Sequence, residues 1–250
     1  MLAFDMETVG QTEGELAPET LAFLTKNPEK AAENIERTSL SPYTGYVACV
    51  ALWDTAADKG VVLMHTPDGA SPFPEGAKSF VEGDVTFKVY PDEATMLVKF
   101  WGICTRQTNG FLSYNGRGFD IPFAVIRSAA LNIPMCRKLI RANRYYDDHI
   151  DIKDCLENYG SFRAPANFDL LCRTLGIPSP KEGDVKGAEV GAAWRAGRYM
   201  DVARYCMRDV RALVLCAERL DGVFGNVKPT ESTEPAEAPA EPDPEGKVSP

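Results

Sequence analysis

The chain has 250 residues, 44% of them hydrophobic and 25% charged, with two histidines and a formal net charge of −9. This is ordinary globular usage, enough for a sizeable core in one domain of above-average size. It excludes a broadly basic surface, and no apolar run approaches the roughly 18 residues of a membrane span. The predicted elements run as follows. Leu2 to Glu7 reads as a short strand, and residues 11–42 as irregular with a helical stretch near Pro28–Arg37. Tyr46–Asp54 and Gly60–His65 read as two strands joined by a short turn, hence a hairpin. Thr86–Tyr90 reads as a third strand. Pro91–Thr105 reads as a helix with proline at its start. Gly110–Tyr114 is a strand, Phe119–Leu131 a helix and Ile150–Leu156 a short apolar piece. Phe168–Leu175 is a helix stopped by Gly176 and Pro178, Val190–Ala196 another, and Arg198–Leu220 the longest. Hairpin-ordered strands followed by strands separated by helices predict an α/β fold: a mixed sheet with helices packed on it.

From about Asn226 the composition changes. Residues 226–250 hold six acids and two lysines, a net of −4 that leaves −5 for residues 1–225. This segment has many prolines and no aromatic residue, so it cannot bury enough apolar area to offset its ordering entropy. The expectation is a folded domain over 1–225 and a disordered acidic tail over 226–250. The tail either serves solubility or docks on a protein partner. The seven cysteines are odd in number and lack any C-x-x-C pair, and they read as buried free thiols of a reducing cytoplasm. The first residues reach Asp5 and Glu7 without a basic-then-apolar leader, so no secretory signal is expected.

Three acidic clusters carry the chemistry. Asp5 and Glu7 are two apart on the first strand and therefore share one face, with Phe4 and Met6 on the other. Two carboxylates on one face repel each other unless a cation lies between them, although an exposed strand end also tolerates D-x-E. Asn115-Gly116-Arg117-Gly118-Phe119-Asp120 follows a strand and opens a helix. Its glycines permit a tight turn, and Asp120 suits either a helix cap or a ligand. Tyr205 and Asp209 are four apart on the longest helix and share a face, beside a stripe of Val202, Cys206, Leu213 and Cys216. Four carboxylates are the oxygen-rich ligand set that hard divalent cations take.

Taken together and in this order, these clusters resemble the DEDD exonucleases, in particular the tyrosine-bearing subgroup, and most closely the stand-alone exonucleases related to the exonuclease domain of family-B DNA polymerases. Ser41-Pro42, His149-Ile150-Asp151-Ile152, Leu175-Gly176-Ile177-Pro178 and Ala203-Arg204-Tyr205-Cys206-Met207-Arg208-Asp209-Val210 also look like that group, over roughly residues 1–222. The resemblance implies a ribonuclease H-like fold and 3′→5′ hydrolysis of single-stranded DNA, or also RNA, from its 3′ end. It implies that Asp5, Glu7, Asp120 and Asp209 hold two divalent cations, Mg²⁺ or Mn²⁺, and that Tyr205 orients the attacking water. It further suggests that Met6 and Thr8 touch the terminal nucleotide, and that Asp151 supports the site structurally. Asn115 is placed to contact a sugar or phosphate, and Phe119 either stacks on a base or packs in the core. The basic run from Arg137 to Arg144 either tracks a phosphate backbone or forms a solvated face. An RNA-trimming oligoribonuclease-like enzyme, a non-catalytic nucleic-acid-binding module on the same fold and an acidic adaptor are the competing readings.

Overall fold

The computed structural model describes residues 1–140, 148–162, 167–181, 183 and 185–224. The acidic segment 226–250 and residues 141–144 of the basic run lie outside the described residues. In chain order the elements are β1 (Leu2–Gly10), α1 (Pro18–Leu24), α2 (Pro28–Glu36), β2 (Gly45–Asp54), β3 (Lys59–His65), β4 (Ser79–Glu82), β5 (Val85–Tyr90), α3 (Glu93–Arg106), β6 (Phe111–Ser113), α4 (Asp120–Ala130), β7 (His149–Asp151), α5 (Ile152–Leu156), α6 (Phe168–Thr174), α7 (Val190–Arg195) and α8 (Tyr199–Phe224). The strands form one mixed sheet, in the order β4-β5-β3-β2-β1-β6-β7. β1, β2 and β3 pair antiparallel, β3 with β5 and β1 with β6 pair parallel, and β6 with β7 parallel. This is the predicted mixed sheet flanked by helices.

Two apolar layers cover it. Alternation along β1 sends Leu2, Phe4 and Met6 to one face, where α3 and α4 bury Met96, Phe100, Phe123 and Ala124 against them. The opposite face carries Ala3 and Val9 and is roofed by α8, whose Val202, Cys206, Val210, Leu213 and Cys216 recur at helical spacing and are all buried. At β1–β2 the register slips by one residue between Glu7 and Thr8, with Ala48 the extra residue on β2. The slip leaves the Val47 N–H without a ladder partner. Glu93 Oε1 accepts it at 2.8 Å, while Arg127 holds the same carboxylate at 2.6 Å. One partly buried ion pair thereby ties β2, α3 and α4 together.

The structure corrects several sequence expectations. β1 runs on to Gly10, and besides the expected helical stretch, which is α2, the segment holds a further helix, α1; both open with proline at the first position, where no N–H is needed. Pro91 does not start α3: Asp92 caps it, its side chain accepting from Thr95 N at 2.7 Å. The apolar piece near residue 150 divides into the strand β7 and the helix α5, with Asp151 as the cap between them. In the basic run, Arg137–Leu139 form a 3-10 turn rather than a helix face, and the Lys138 ammonium donates to the Gln107 carbonyl. Among the described residues no helix is long and apolar enough to cross a membrane.

Candidate active site

β1 and β6 are paired only at Leu2–Phe111 and Ala3–Leu112. Beyond that point the two strands part, and the sheet opens into a cleft. Met6 N, freed by the parting, donates to Asp120 Oδ1 at 3.0 Å across 114 residues of sequence. Asp120 therefore does not cap α4, and Phe119 at the N-cap makes no capping side-chain hydrogen bond. A helix that forgoes its cap loses roughly 1 kcal/mol. Here the carboxylate is used to hold β1 to the start of α4.

The turn before Asp120 is built for close approach. Asn115 takes the left-handed conformation (φ 61°), which Asn tolerates, so the positive φ falls there and not on the glycines. The glycines serve space. A Cβ on Gly116 would lie 2.5 Å from Ser113 Oγ, and one on Gly118 would lie 2.8 Å from Asn115 Oδ1. Buried Asp151 anchors the turn from below. Its Oδ1 accepts from Asn115 N at 2.7 Å and from Lys153 N at 3.1 Å, and its Oδ2 accepts from Arg117 N at 2.9 Å. Arg117 also donates to the His149 carbonyl and pairs with Asp154.

The cleft, about 320 Å³, is lined by Asp5, Glu7, Asp120, Tyr205 and Asp209 from β1, α4 and α8. Met6, Asn115 and Phe119 line it as well. Thr8 is not among the lining residues: its hydroxyl donates to the Ser39 carbonyl at 2.6 Å. Asp5, Glu7 and the buried Cys206 thiol each present a ligand atom within 4.8 Å of the others. The thiol sits behind the carboxylate, donating to the Asp5 carbonyl at 3.5 Å.

Electrostatics follow from that crowding. Burial pushes the Asp5 and Glu7 carboxyls well above the ordinary range, and the neighbouring acids raise them further. Burial also pushes Asp120 up to about 7, against the hydrogen bonds from its own N–H and from Met6. Asp209 is likewise pushed up to about 7 by burial, opposed by the Tyr205 hydrogen bond and the Arg208 charge. Among the described residues none of the four carboxylates forms a salt bridge. Four converging acids, Asp120 buried and the others half-buried, with no such salt bridge to neutralise them, fit hard divalent cations, which take carboxylate oxygens.

The motifs did not reveal the far wall of the cleft. Asn167, Phe168, Asp169, Pro180 and Lys181 form it. Asp169 holds Lys181 weakly at 4.0 Å and accepts from the Ser179 hydroxyl. Arg208 on α8 donates to the Pro180 carbonyl at 3.3 Å, and its guanidinium lies 5.7 Å from the Tyr205 ring centroid. The backbone near Gly187 comes so close to Tyr205 that a Cβ there would lie 3.3 Å from the hydroxyl. Asn167, Pro180 and Lys181 sit in connections and Phe168 and Asp169 open the short helix α6, so no spacing flags them as cleft residues.

The fold is similar to that of the family B DNA polymerase from the hyperthermophilic archaeon Pyrobaculum calidifontis, with a TM-score of 0.55 at 18% identity over 88% of this chain. The match covers 24% of that polymerase, so the chain spans about a quarter of its length. The likeness carries the expected ribonuclease H-like architecture. No curated protein matches the chain. A family model described as "Predicted 3'-5' exonuclease related to the exonuclease domain of PolB" matches residues 83–236, a span that includes Asp120, Tyr205 and Asp209 and begins after Asp5 and Glu7. The match takes in more than half of the chain, which belongs to this family of predicted 3′–5′ exonucleases.

Proposed function

We propose that the chain hydrolyses phosphodiester bonds one nucleotide at a time from the 3′ end of single-stranded DNA, and RNA as well, as a tyrosine-type member of the DEDD exonucleases. One observation carries the reading: four carboxylates and a phenol from three well-separated segments, β1, the start of α4 and α8, line one cleft. Asp5, Glu7, Asp120 and Asp209 would hold two divalent cations, Mg²⁺ or Mn²⁺. When bound, these would supply Lewis-acid activation of a water and neutralise charge on the departing 3′-oxygen. The chain's own residues do the rest. Met6, Asn115 and Phe119 border the space a terminal nucleotide would fill, and Lys181 faces its phosphate from the opposite wall. Residues 1–225 would form the catalytic unit, with 226–250 an acidic appendage.

Tyr205 acts by position and not as a base. With no cation beside it, burial raises its hydroxyl far above the ordinary tyrosine range, and the Asp209 and Glu7 charges add to this. A hydroxyl that keeps its proton can donate to a carboxylate and orient a water, but it does not abstract a proton near neutral pH. Tyr205→Phe keeps the packed ring and removes the hydroxyl. It should lower kcat by about ten- to a hundredfold while leaving Mn²⁺ binding by calorimetry unchanged; an equal loss of Mn²⁺ binding would argue against a positioning role.

The direct test incubates the protein and Mn²⁺ with 5′-labelled single-stranded DNA and RNA of one sequence. A ladder shortened from the 3′ end is expected, and the DNA and RNA arms report preference. Asp5→Ala should fold normally and give no ladder. Near-wild-type turnover by that variant would sink the reading.

A further inference from the structure

The cleft is lined by Asp5, Glu7, Asp120, Asp169 and Asp209, with Lys181 as its lysine. Such a surface repels a polyanion until cations fill it, so strand affinity needs a cationic surface elsewhere. On the opposite face of the sheet a second concavity, about 280 Å³, lies between β5 and α3. It arises from the packing. α3 buries Met96, Leu97, Phe100 and Cys104 against the layer over β1 and β2, and this leaves the outward residues of β5 uncovered. Thr86, Lys88 and Tyr90 alternate along that strand onto the groove.

From α3 come Lys99, Ile103 and Arg106, spaced i, i+4, i+7 as one helical stripe. Val61, Leu63 and Ile103 give the groove apolar walls, and no acid lines it. Lys88, Lys99 and Arg106 are exposed, and among the described residues none enters a salt bridge, although Arg37, Arg127, Arg173, Arg198 and Arg204 all do. In a chain of net charge −9 this is a local reversal of sign on a concave surface.

We propose that this groove is a second nucleic-acid contact, which holds phosphates of the substrate strand upstream of the 3′ end bound in the cleft. The proposal rests on the exonuclease reading. Lys88, Lys99 and Arg106 take phosphate oxygens, and the Tyr90 ring with Val61 and Ile103 takes a sugar or base face, a contact that tolerates any sequence. An acidic peptide would meet the charges, but it has less use for an apolar wall bearing a phenol, and a polynucleotide is the polyanion that family membership brings to this chain. Because cleft and groove lie on opposite faces, only a strand long enough to pass round the sheet gains from both.

The test compares wild type with the triple variant Lys88→Ala/Lys99→Ala/Arg106→Ala, checked for an unchanged melting curve. Anisotropy with Ca²⁺ in place of Mn²⁺ reads binding of a labelled single strand of about 30 nucleotides, and Mn²⁺-dependent hydrolysis of a dinucleotide reads the cleft alone. Loss of three phosphate contacts should weaken long-strand binding at least about tenfold near 0.1 M salt and flatten the slope of log K against log salt by about 2. Dinucleotide hydrolysis should not change. Unchanged long-strand affinity and slope, with the dinucleotide still cleaved, would overturn the groove and spare the exonuclease reading. A wild type that cleaves neither substrate would sink that reading and the groove with it. If a peptide of residues 226–250 displaces nothing from the groove, nucleic acid stands as the occupant; if it binds wild type in a manner lost in the variant while strand binding is equal in both, the occupant is an acidic peptide and the proposal fails.

Discussion

Asp209→Asn should reduce hydrolysis at least about a thousandfold and yet make the cation-free protein more stable. Both effects have one cause. Asp209 sits among carboxylates that burial and mutual repulsion push upward, Asp209 itself to about 7. Its folded-state value thus lies above the unfolded one near 4. A group shifted in this direction contributes its full stability below the unfolded value, loses it as pH climbs toward the folded value, and has none left above it. Above pH 7 the ionised Asp209 therefore works against the fold. Asparagine keeps the shape and a carbonyl oxygen for the Tyr205 hydroxyl, without the charge. The shift corresponds to an upper bound of about 4 kcal/mol, and coupling among the acids reduces the gain to about 1–3 kcal/mol. That is several degrees in Tm for a domain of this size. Thermal melts in EDTA should show the variant above wild type at pH 8, with the gap closing toward pH 4. A variant less stable than wild type at pH 8 would mean that the cluster is not electrostatically strained. Adding Mn²⁺ should reverse the order, because the ions stabilise only the charged set.

The parts of the site that obey a period were legible before the fold was seen. Asp5 and Glu7 share a face because strands repeat every two residues, and Tyr205 and Asp209 because helices bring i and i+4 together. The buried stripe of α8 could be read in the same way. What long-range pairing decides was not legible. Nothing local says that β5 lies parallel to β3 with β4 outside it, or that β1 and β6 part after Ala3. The parting is what frees Met6 N and turns Asp120 from a cap into a cross-link. β4 was missed because Ser79–Glu82 is an edge strand with largely exposed side chains, and no alternation marks it. Lys181 and Asp169 enter the cleft from a connection and a short helix, where no spacing constrains them. Thr8 looked like a neighbour of the acids by position, but its hydroxyl is engaged by the Ser39 carbonyl.

Asp151 was legible only as support, and the hydrogen bonds now say what it supports. Three backbone N–H groups, those of Asn115, Arg117 and Lys153, converge on its buried carboxylate. Two of them belong to the turn that carries Asn115 in its left-handed conformation and delivers Asp120 to the cleft. Asp151→Ala leaves these donors facing a void too tight for easy solvation. The expected cost is about 2–4 kcal/mol, since bonds to a charged acceptor are worth more than neutral ones and buried orphans bear the full desolvation penalty. Asp151→Asn keeps one acceptor oxygen and should cost about half as much. Because the turn positions Asp120 and not the α8 residues, kcat should fall in both variants even well below Tm, and further in alanine than in asparagine. Urea melts and single-turnover rates at a temperature where both variants are folded separate the two effects. A fully stable Asp151→Ala, or an unstable one with wild-type kcat, would break the link drawn here between this carboxylate, the turn and the cleft.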